Sequence, residues 1–479
     1  MPIHPGLKDL LSYPLMSAFR ERRTRRIARG VSVNAGPLTH TSTNPPAPLT
    51  PLEEAVIIVS TGLTGPVMHD GPLKRPDGGD ELGSPFYNLV GRATSSPDNS
   101  HATAFFLIND DGIWLLKRPN DREALQQMAT RPASWDDWSD ADWLTAAEAV
   151  KIQISDRRLE FPRRFPYYLG WNKQTSNAPG TTILLPVVDC TRQYINAILT
   201  VLSEPEGQRP VFIDDWQKFE PKDLAEAALW VGAQFGFPRK IPYQPVGGIK
   251  WVRNGFANRD LSAPLGFGHA MRTDYESFFL LQNLMLLAQG MGLGGWIHAS
   301  VFAPWILQRN PDKGEFGLGF RMHEPKKKWL HWPPLPSTQP NPVGIDGVLE
   351  GLCPPYVASM NDAVDTVIAD KYGPQGMYGD ATTFAAPFKH SADAEEYLRQ
   401  QTPFSPQAVE YCKEICTYIL DKYGRFPAHV DAFYVPGIWL QFSHLELEYY
   451  DRFYKPDLVK RQAAHDATWG HHEPGDPVE

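Results

Sequence analysis

The stretch FFLLQNLMLLAQGMGLGGW, from Phe278 to Trp296, constrains the fold of this chain more than any other segment. Its first half carries apolar residues around most of a helical circumference, which is typical of a helix buried at the centre of a domain. Gly292 can adopt the left-handed conformation that ends a helix, and Gly294 and Gly295 allow the backbone to approach a neighbouring group closely. We therefore expect a central helix that ends in a glycine turn.

The pattern of strand and helix signals on either side of this helix is mixed. PLTPLEEAVIIVSTG reads as a helix capped by Thr50, and HATAFFLINDDGIWLLKRP reads as a β-hairpin. GTTILLPVVD has the length of a buried strand, whereas ADWLTAAEAVKIQIS and, near the end, WLQFSHLELEYYDRFY read as helical. This alternation predicts an α+β or α/β protein whose last third is mostly α-helical.

Composition excludes several classes of protein. The chain has 479 residues with 42% hydrophobic and 21% charged residues, enough for a substantial core. Its formal net charge of -9 gives no general electrostatic case for binding nucleic acid or an anionic membrane. No apolar run reaches the ~18 residues of a membrane span, and the start of the chain does not read as a signal peptide. We expect a cytoplasmic, soluble protein without nucleic-acid or membrane partners.

The densest basic cluster lies in SAFRERRTRRIARG, near the start of the chain. If this segment is helical, Arg22 and Arg26 share one face with Thr24 near the same end. Two guanidinium groups and a hydroxyl group can clamp a phosphate through charge-assisted hydrogen bonds. A solvated basic helix and a localisation-like patch are the alternatives.

Three further groups are weaker candidates. The loop GRATSSPDNSH is rich in hydrogen-bond formers, although a turn that caps itself has the same composition. His444 and Glu448 would be one turn apart on a helix, but without further ligands they predict a hydrogen-bonded helix face, and we expect no metal site. Cys412 and Cys416 are also one turn apart, and buried free thiols are favoured over a metal or redox pair.

Taken together, these motifs resemble those of the nitroreductase-like flavoprotein superfamily, over roughly residues 15 to 335. The family opens with an Arg-x-Ser-x-Arg/Lys signature, and here Arg22-Arg23-Thr24-Arg25-Arg26 stands in its place with Thr for Ser. The family's central helix is similar to QNLMLLAQGMGLGG, and LGFRMHEPKKKW is similar to the segment that returns to the cofactor phosphate. The loop ATSSPDNSHATAFFLI resembles one in the azoline-oxidase-like branch.

The resemblance implies a set of cofactor-binding residues, while no side chain is assigned as the catalytic acid. Arg321 and Lys327 are further phosphate candidates in the returning segment. In the azoline-oxidase-like branch the serine loop lies against the flavin ring. The implied FMN-binding residues are Arg22, Arg23, Thr24, Arg26, Ser95, Ser96, Asn99, Gly292, Leu293, Gly294, Gly295, Lys326 and Lys328.

The fold that the resemblance implies is an α+β, nitroreductase-like sandwich with a central antiparallel sheet flanked by helices, usually assembled as a homodimer. Residues 1–50 would form an arm with the phosphate-binding basic helix, and residues 51–335 the FMN-binding core with insertions. Residues 336–479 would form a proline-rich connector and a mainly helical C-terminal extension, which match no family that we can name.

The function that the resemblance implies is hydride transfer through flavin N5. The first expectation is an FMN-dependent oxidoreductase that uses NAD(P)H to reduce a nitroaromatic, a quinone or an activated alkene. The alternative is an FMN-dependent dehydrogenase or oxidase of a biosynthetic intermediate. A second alternative is a non-catalytic interaction protein whose flavin site has decayed.

Overall fold

The computed structural model describes the greater part of the chain. The described residues are 3–70, 84–165, 167–168, 170–218, 224–236, 245–266, 274–301, 306–307, 317–323, 341–431 and 437–470.

The described strands and helices are interspersed along the chain. The strands are β1 Leu63–Pro66, β2 Val90–Arg92, β3 Thr103–Asn109, β4 Gly112–Leu116, β5 Lys151–Ser155, β6 Thr182–Asp189, β7 Pro210–Ile213, β8 Asn258–Pro264, β9 Gly294–Val301, β10 Arg321–His323, β11 Asn341–Ile345, β12 Leu349–Glu350, β13 His429–Asp431 and β14 Gly437–Ser443. The helices are α1 Pro5–Ser12, α2 Leu15–Glu21, α3 Pro51–Ser60, α4 Asp121–Ala129, α5 Asp140–Glu148, α6 Thr191–Leu202, α7 Leu224–Gln234, α8 Lys250–Arg253, α9 Asp274–Met291, α10 Met360–Tyr372, α11 Ala381–Phe384, α12 Ser391–Gln400, α13 Pro406–Tyr423, α14 Leu447–Phe453, α15 Lys460–Ala463 and α16 His465–Trp469.

The structure has a mixed α/β architecture with an antiparallel sheet. The sheet runs β5-β4-β3-β6-β14-β9, and β13 also pairs with β6. Every pairing within this sheet is antiparallel. The coarse α+β prediction is confirmed.

The two faces of the sheet carry different cores, because successive side chains of a strand point to opposite faces. On one face, Phe105 and Leu107 of β3 pack with the apolar residues of α9, α3 and α5. On the other face, Phe106 and Ile108 pack with Trp439 of β14 and with residues of the loop that follows β5. The stretch that opened the sequence analysis is therefore a helix packed on the central sheet. Contrary to what its composition indicated, this helix is not buried all round, because Tyr275 and Phe279 are about half exposed. Within the described part of the chain, no helix is long and apolar enough to cross a membrane.

Several local predictions are confirmed in detail. Thr50 caps α3 and forms a capping box with Glu53, so the predicted helix begins where its sequence indicates. The predicted hairpin is β3 and β4, joined at Asn109 and Gly112. Helix α9 ends at Met291, and Gly292 follows it with a φ of +80°, the left-handed conformation that glycine favours.

Other boundaries differ from the prediction. The helix expected in ADWLTAAEAVKIQIS ends at Glu148, and Lys151–Ser155 forms the edge strand β5. In WLQFSHLELEYYDRFY, the first part is the strand β14, and only Leu447–Phe453 is helical. His444 therefore precedes the helix and does not share a helix face with Glu448. Short apolar runs fit a strand or a helix equally well, so their pairing in the sheet decides between the two.

The C-terminal part of the chain is not an appendage to the core. Strand β14 lies inside the central sheet, between β6 and β9, so the sheet crosses the expected boundary at residue 335. Helices α10 and α13 pack on α6 and form a second core with β7 and β8. Cys412 and Cys416 of α13 are buried free thiols in this second core, as predicted.

Candidate functional site

The arginine motif is not helical, which corrects the prediction that it is a helix. Helix α2 ends at Glu21, and Arg22 has φ -54° and ψ 127°, outside the helical region. Residues 22–27 belong to no helix or strand. Arg23, Thr24 and Arg26 are exposed and Arg22 is half-buried, whereas Arg25 and Ile27 are buried.

The buried Arg25 attaches this segment to the end of α9. Its backbone N–H donates to the carbonyl oxygen of Gly295 at 3.3 Å, and its Nη1 donates to Gln289 Oε1 at 3.0 Å. Its Nε donates to the carbonyl oxygen of Leu458 at 2.8 Å. Burial lowers the pKa of Arg25 to about 10, so the guanidinium keeps its charge at neutral pH. The arginine motif and the GLGG motif are thus adjacent.

The segment that carries Arg22, Thr24 and Arg26 fits an anion. Among the residues that the structure describes, neither Arg22 nor Arg26 forms an ion pair with a carboxylate. Arg23 differs, because its Nη1 donates to the carbonyl oxygens of Arg20 and Arg22 at 2.8 and 2.9 Å, at the end of α2. Two unneutralised guanidinium groups beside a hydroxyl group suit a phosphate.

The structure also identifies supporting residues that the sequence analysis missed. The guanidinium carbon of Arg26 lies 5.3 Å from the ring centroid of Trp296, a cation–π contact. The Tyr450 hydroxyl accepts hydrogen bonds from the backbone N–H groups of Arg26 and Ile27, at 3.0 and 3.2 Å. In the sequence, Tyr450 stands out only as part of the aromatic pair in LELEYYD. Such a pair does not predict a contact with Arg26, which is distant in the sequence.

The glycines after α9 have partners within this chain. A Cβ atom at Gly294 would overlap Leu445 Cδ2 and lie 3.1 Å from Ser443 Oγ, both in the segment that ends β14. A Cβ atom at Gly295 would lie 3.0 Å from Ala288 Cβ. These glycines therefore allow β9 to lie close to the end of β14 and to α9. Leu293, between Gly292 and Gly294, is buried.

The serine loop is held mainly by its own polar groups and by the start of α9. Ser96 Oγ donates to Glu276 Oε2 at 2.8 Å and accepts from the His101 N–H at 2.9 Å. Asn99 Nδ2 donates to the carbonyl oxygen of Asn88 at 2.5 Å. The side chains of Ser96 and Asn99 are thus already engaged, as in the self-capping alternative. Ser95 is exposed.

The backbone of this loop is strained. Asp98, Asn99 and His101 have φ values of 50°, 53° and 43°, in the left-handed region that side chains disfavour. Such conformations cost on the order of 1–3 kcal/mol each and are concentrated at ligand sites. Burial, with the nearby charges of Arg92 and Arg118, lowers the pKa of His101 to about 2, so its imidazole is neutral.

Within one chain, the serine loop and the arginine segment contact different stretches of α9. The loop contacts Glu276 through Ser96 and Asn283 through the carbonyl oxygen of Ala93, whereas the arginine segment contacts Gln289 and Gly295. At a rise of about 1.5 Å per residue, Gln289 is roughly 9 Å from Asn283 and roughly 20 Å from Glu276 along the helix axis. Ser96 therefore lies at the end of α9 that is far from the arginine segment.

The remaining predicted residues lie in the segment that was expected to return to the phosphate. Lys326 and Lys328 lie outside the described residues. Arg321 is described, and its Nη2 donates to Asp346 Oδ2 at 2.7 Å on the surface beside β11. This ion pair neutralises Arg321 and leaves Arg22 and Arg26 as the better-supported cations.

Comparison of the chain with models of protein families, with curated proteins and with solved structures finds no match.

Proposed function

We propose that this protein is an FMN-dependent oxidoreductase of the nitroreductase-like kind, which takes electrons from NAD(P)H and reduces an electron-poor organic substrate. Nitroaromatics, quinones and activated alkenes are the substrate classes. The observation that carries the proposal is the segment of Arg22, Thr24 and Arg26, whose side chains are half-buried or exposed and which Arg25 attaches to the GLGG strand. The lack of a carboxylate partner for Arg22 and Arg26 among the described residues argues against a decayed site.

In this proposal the chain holds FMN chiefly through its phosphate. The guanidinium groups of Arg22 and Arg26 and the hydroxyl group of Thr24 would bind the phosphate oxygens. Arg25 would act as a positioning residue, because its bonds to Gln289 and Leu458 hold the backbone between Arg22 and Arg26. Bound FMN would supply hydride transfer, which no side chain of the described residues can perform.

We further propose that the site is completed in a homodimer. The solvent face of α9 presents Tyr275 and Phe279, which are 48% and 49% exposed, and α2 beside it presents Leu15, Met16 and Phe19. Antiparallel packing of two α9 helices about a two-fold axis would cover these apolar groups isologously. It would also place Ser96, at the start of α9 in one protomer, near the arginine segment of its partner.

The variant Phe279→Glu should be monomeric, because burying an unpaired carboxylate in the apolar interface is costly. Size-exclusion chromatography with light scattering measures the mass, and bound FMN should fall with the dimer fraction. Leu144→Glu is the matched control, since Leu144 is 40% exposed but belongs to α5, not to α9 or α2. A wild-type monomer that binds FMN fully would overturn the shared site.

The proposed activity predicts a yellow protein with flavin absorption bands that releases FMN on denaturation. Under anaerobic conditions, NADH or NADPH should bleach these bands, and a nitroaromatic or quinone should restore them. Bleaching by an organic donor but not by either nicotinamide would reverse the assigned direction and make the protein a dehydrogenase. Protein that is colourless and cannot be reconstituted with FMN would refute the proposal.

A further inference from the structure

Three buried ionisable side chains from distant parts of the chain converge behind the GLGG turn. They are Glu53 in α3, His444 directly after β14, and His465 at the start of α16. One carboxylate oxygen and one nitrogen of each imidazole lie within 4.8 Å of one another. The side chains are 0%, 4% and 3% exposed, so water does not solvate the group.

The orientation of Glu53 is fixed by the capping box of α3. Its Oε2 atom accepts the backbone N–H of Thr50 at 2.6 Å. Its Oε1 atom is consequently directed at the two imidazoles, 3.2 Å from His444 Nε2 and 2.6 Å from His465 Nε2. Burial alone would raise the pKa of Glu53, but the hydrogen bonds and charges of the two histidines outweigh it and hold that pKa well below its usual range.

Both imidazoles are oriented in the same way. His444 Nδ1 lies 3.2 Å from the carbonyl oxygen of Ala47, and His465 Nδ1 lies 2.8 Å from that of Met291. A carbonyl oxygen accepts but does not donate, so it favours the tautomer with the proton on Nδ1 and the lone pair on Nε2. This arrangement is typical of metal-binding histidines, whose second nitrogen donates to a carbonyl or carboxylate oxygen.

Protons alone satisfy only part of this geometry. A protonated His465 can pair with Glu53 Oε1, but a neutral histidine with its proton on Nδ1 directs its Nε2 lone pair at the same oxygen, and two lone pairs repel. If both histidines are protonated, two positively charged rings whose centroids are 5.0 Å apart repel each other while both pair with one carboxylate oxygen. No solvent screens this repulsion. A divalent cation between the three atoms removes both conflicts, because it accepts all three lone pairs.

We propose that Glu53, His444 and His465 bind a divalent transition metal ion, with Zn²⁺ the best fit. Two imidazole nitrogens and one carboxylate oxygen are borderline donors that suit Zn²⁺. Donor atoms about 2.0–2.1 Å from a tetrahedral ion are about 3.3 Å from one another, close to the His444–Glu53 separation. The His465 ring needs to withdraw by less than about 1 Å to reach the same geometry. The fourth position would take a small ligand such as water.

The ion would act by holding the C-terminal segment against the core. Its ligands join α3, the end of β14 and α16, and a Cβ atom at Gly292 would lie 3.4 Å from His465 Cβ. The metal would thus stabilise the turn that leads into β9, beside the arginine segment. This inference does not depend on FMN, and its measurements need no flavin.

The wild-type protein provides the first test. Protein purified without chelators should contain about one Zn²⁺ per chain by elemental analysis. Removal of the ion with 1,10-phenanthroline should lower the melting temperature, and Zn²⁺ should restore it. Protein reconstituted with Co²⁺ should show visible ligand-field absorption that indicates coordination by nitrogen and oxygen.

The variants Glu53→Gln and His465→Ala locate the ion, since each removes one ligand and should abolish metal retention. His40→Ala is the control, because His40 belongs to a second His/Glu group, with Glu446 and Glu448, of which Glu448 is exposed. If the variants do not fold, the chelator and Co²⁺ measurements on wild type decide. Metal-free protein that shows neither a Co²⁺ spectrum nor a chelator effect would refute the proposal, as would full metal content in the folded variants.

Discussion

Replacing Arg22 and Arg26 together with alanine should lower the affinity for FMN by about two to four orders of magnitude. A hydrogen bond to a charged group contributes about 1.5–3 kcal/mol, and the double variant removes at least one such bond from each guanidinium. Quenching of FMN fluorescence by the apoprotein measures the dissociation constant. Circular dichroism should be unchanged, because these two side chains are only half-buried or exposed.

Arg20→Ala and Arg23→Ala are the matched controls for this result. Both residues belong to the same basic run and are exposed, but Arg20 lies on α2 and Arg23 donates to backbone carbonyl oxygens at the end of that helix. We expect each control to change the affinity only slightly. An equal loss of FMN affinity in all variants would indicate that the positive charge of the whole segment, and not a specific site, attracts FMN. Unchanged FMN affinity in the double variant would show that the phosphate binds elsewhere.

Gly294→Val should lower the free energy of unfolding by ~3 kcal/mol or more, the upper part of the range for overpacked cores. The first added carbon atom already overlaps Leu445 Cδ2 at the junction of β9 and the end of β14. Urea denaturation followed by circular dichroism measures the change. Gly65→Val is the control, because a Cβ atom at Gly65 in β1 would meet nothing within 4 Å.

A double-mutant cycle identifies the cause of this destabilisation. Leu445→Ala removes the atoms that the new side chain overlaps, so Gly294→Val should cost less in that background than in wild type. If the free-energy changes of the two substitutions are strictly additive, contact with Leu445 is not the reason why position 294 requires glycine. A Gly294→Val protein as stable as wild type would contradict the packing of β9 against the end of β14.

The arginine segment shows what a local pattern does not predict. The sequence reading extended a helix through Arg22 and Arg26, whereas helix α2 ends at Glu21. The structure also buries Arg25 against Gln289. No local pattern marks Arg25 as the buried one of the four arginines in this motif.

The C-terminal segment shows where local reading fails. WLQF is a short apolar run next to a clearly helical LELEYY, and the sequence reading extended the helix through it. In the structure Leu440 pairs with Leu184 of β6 and Ile297 of β9, so these residues complete the sheet. The same strand carries the chain to His444, and therefore to the proposed metal ligands.

By itself, the sequence determined the elements that depend on neighbouring residues: the capped helix α3, the hairpin of β3 and β4, and the glycine end of α9. These follow from hydrogen bonds and side-chain patterns that span only a few residues. Only the tertiary structure decided which distant groups meet, such as Glu53 with His444 and His465. Such contacts arise when the whole chain buries its apolar surface, and no local pattern of residues encodes them.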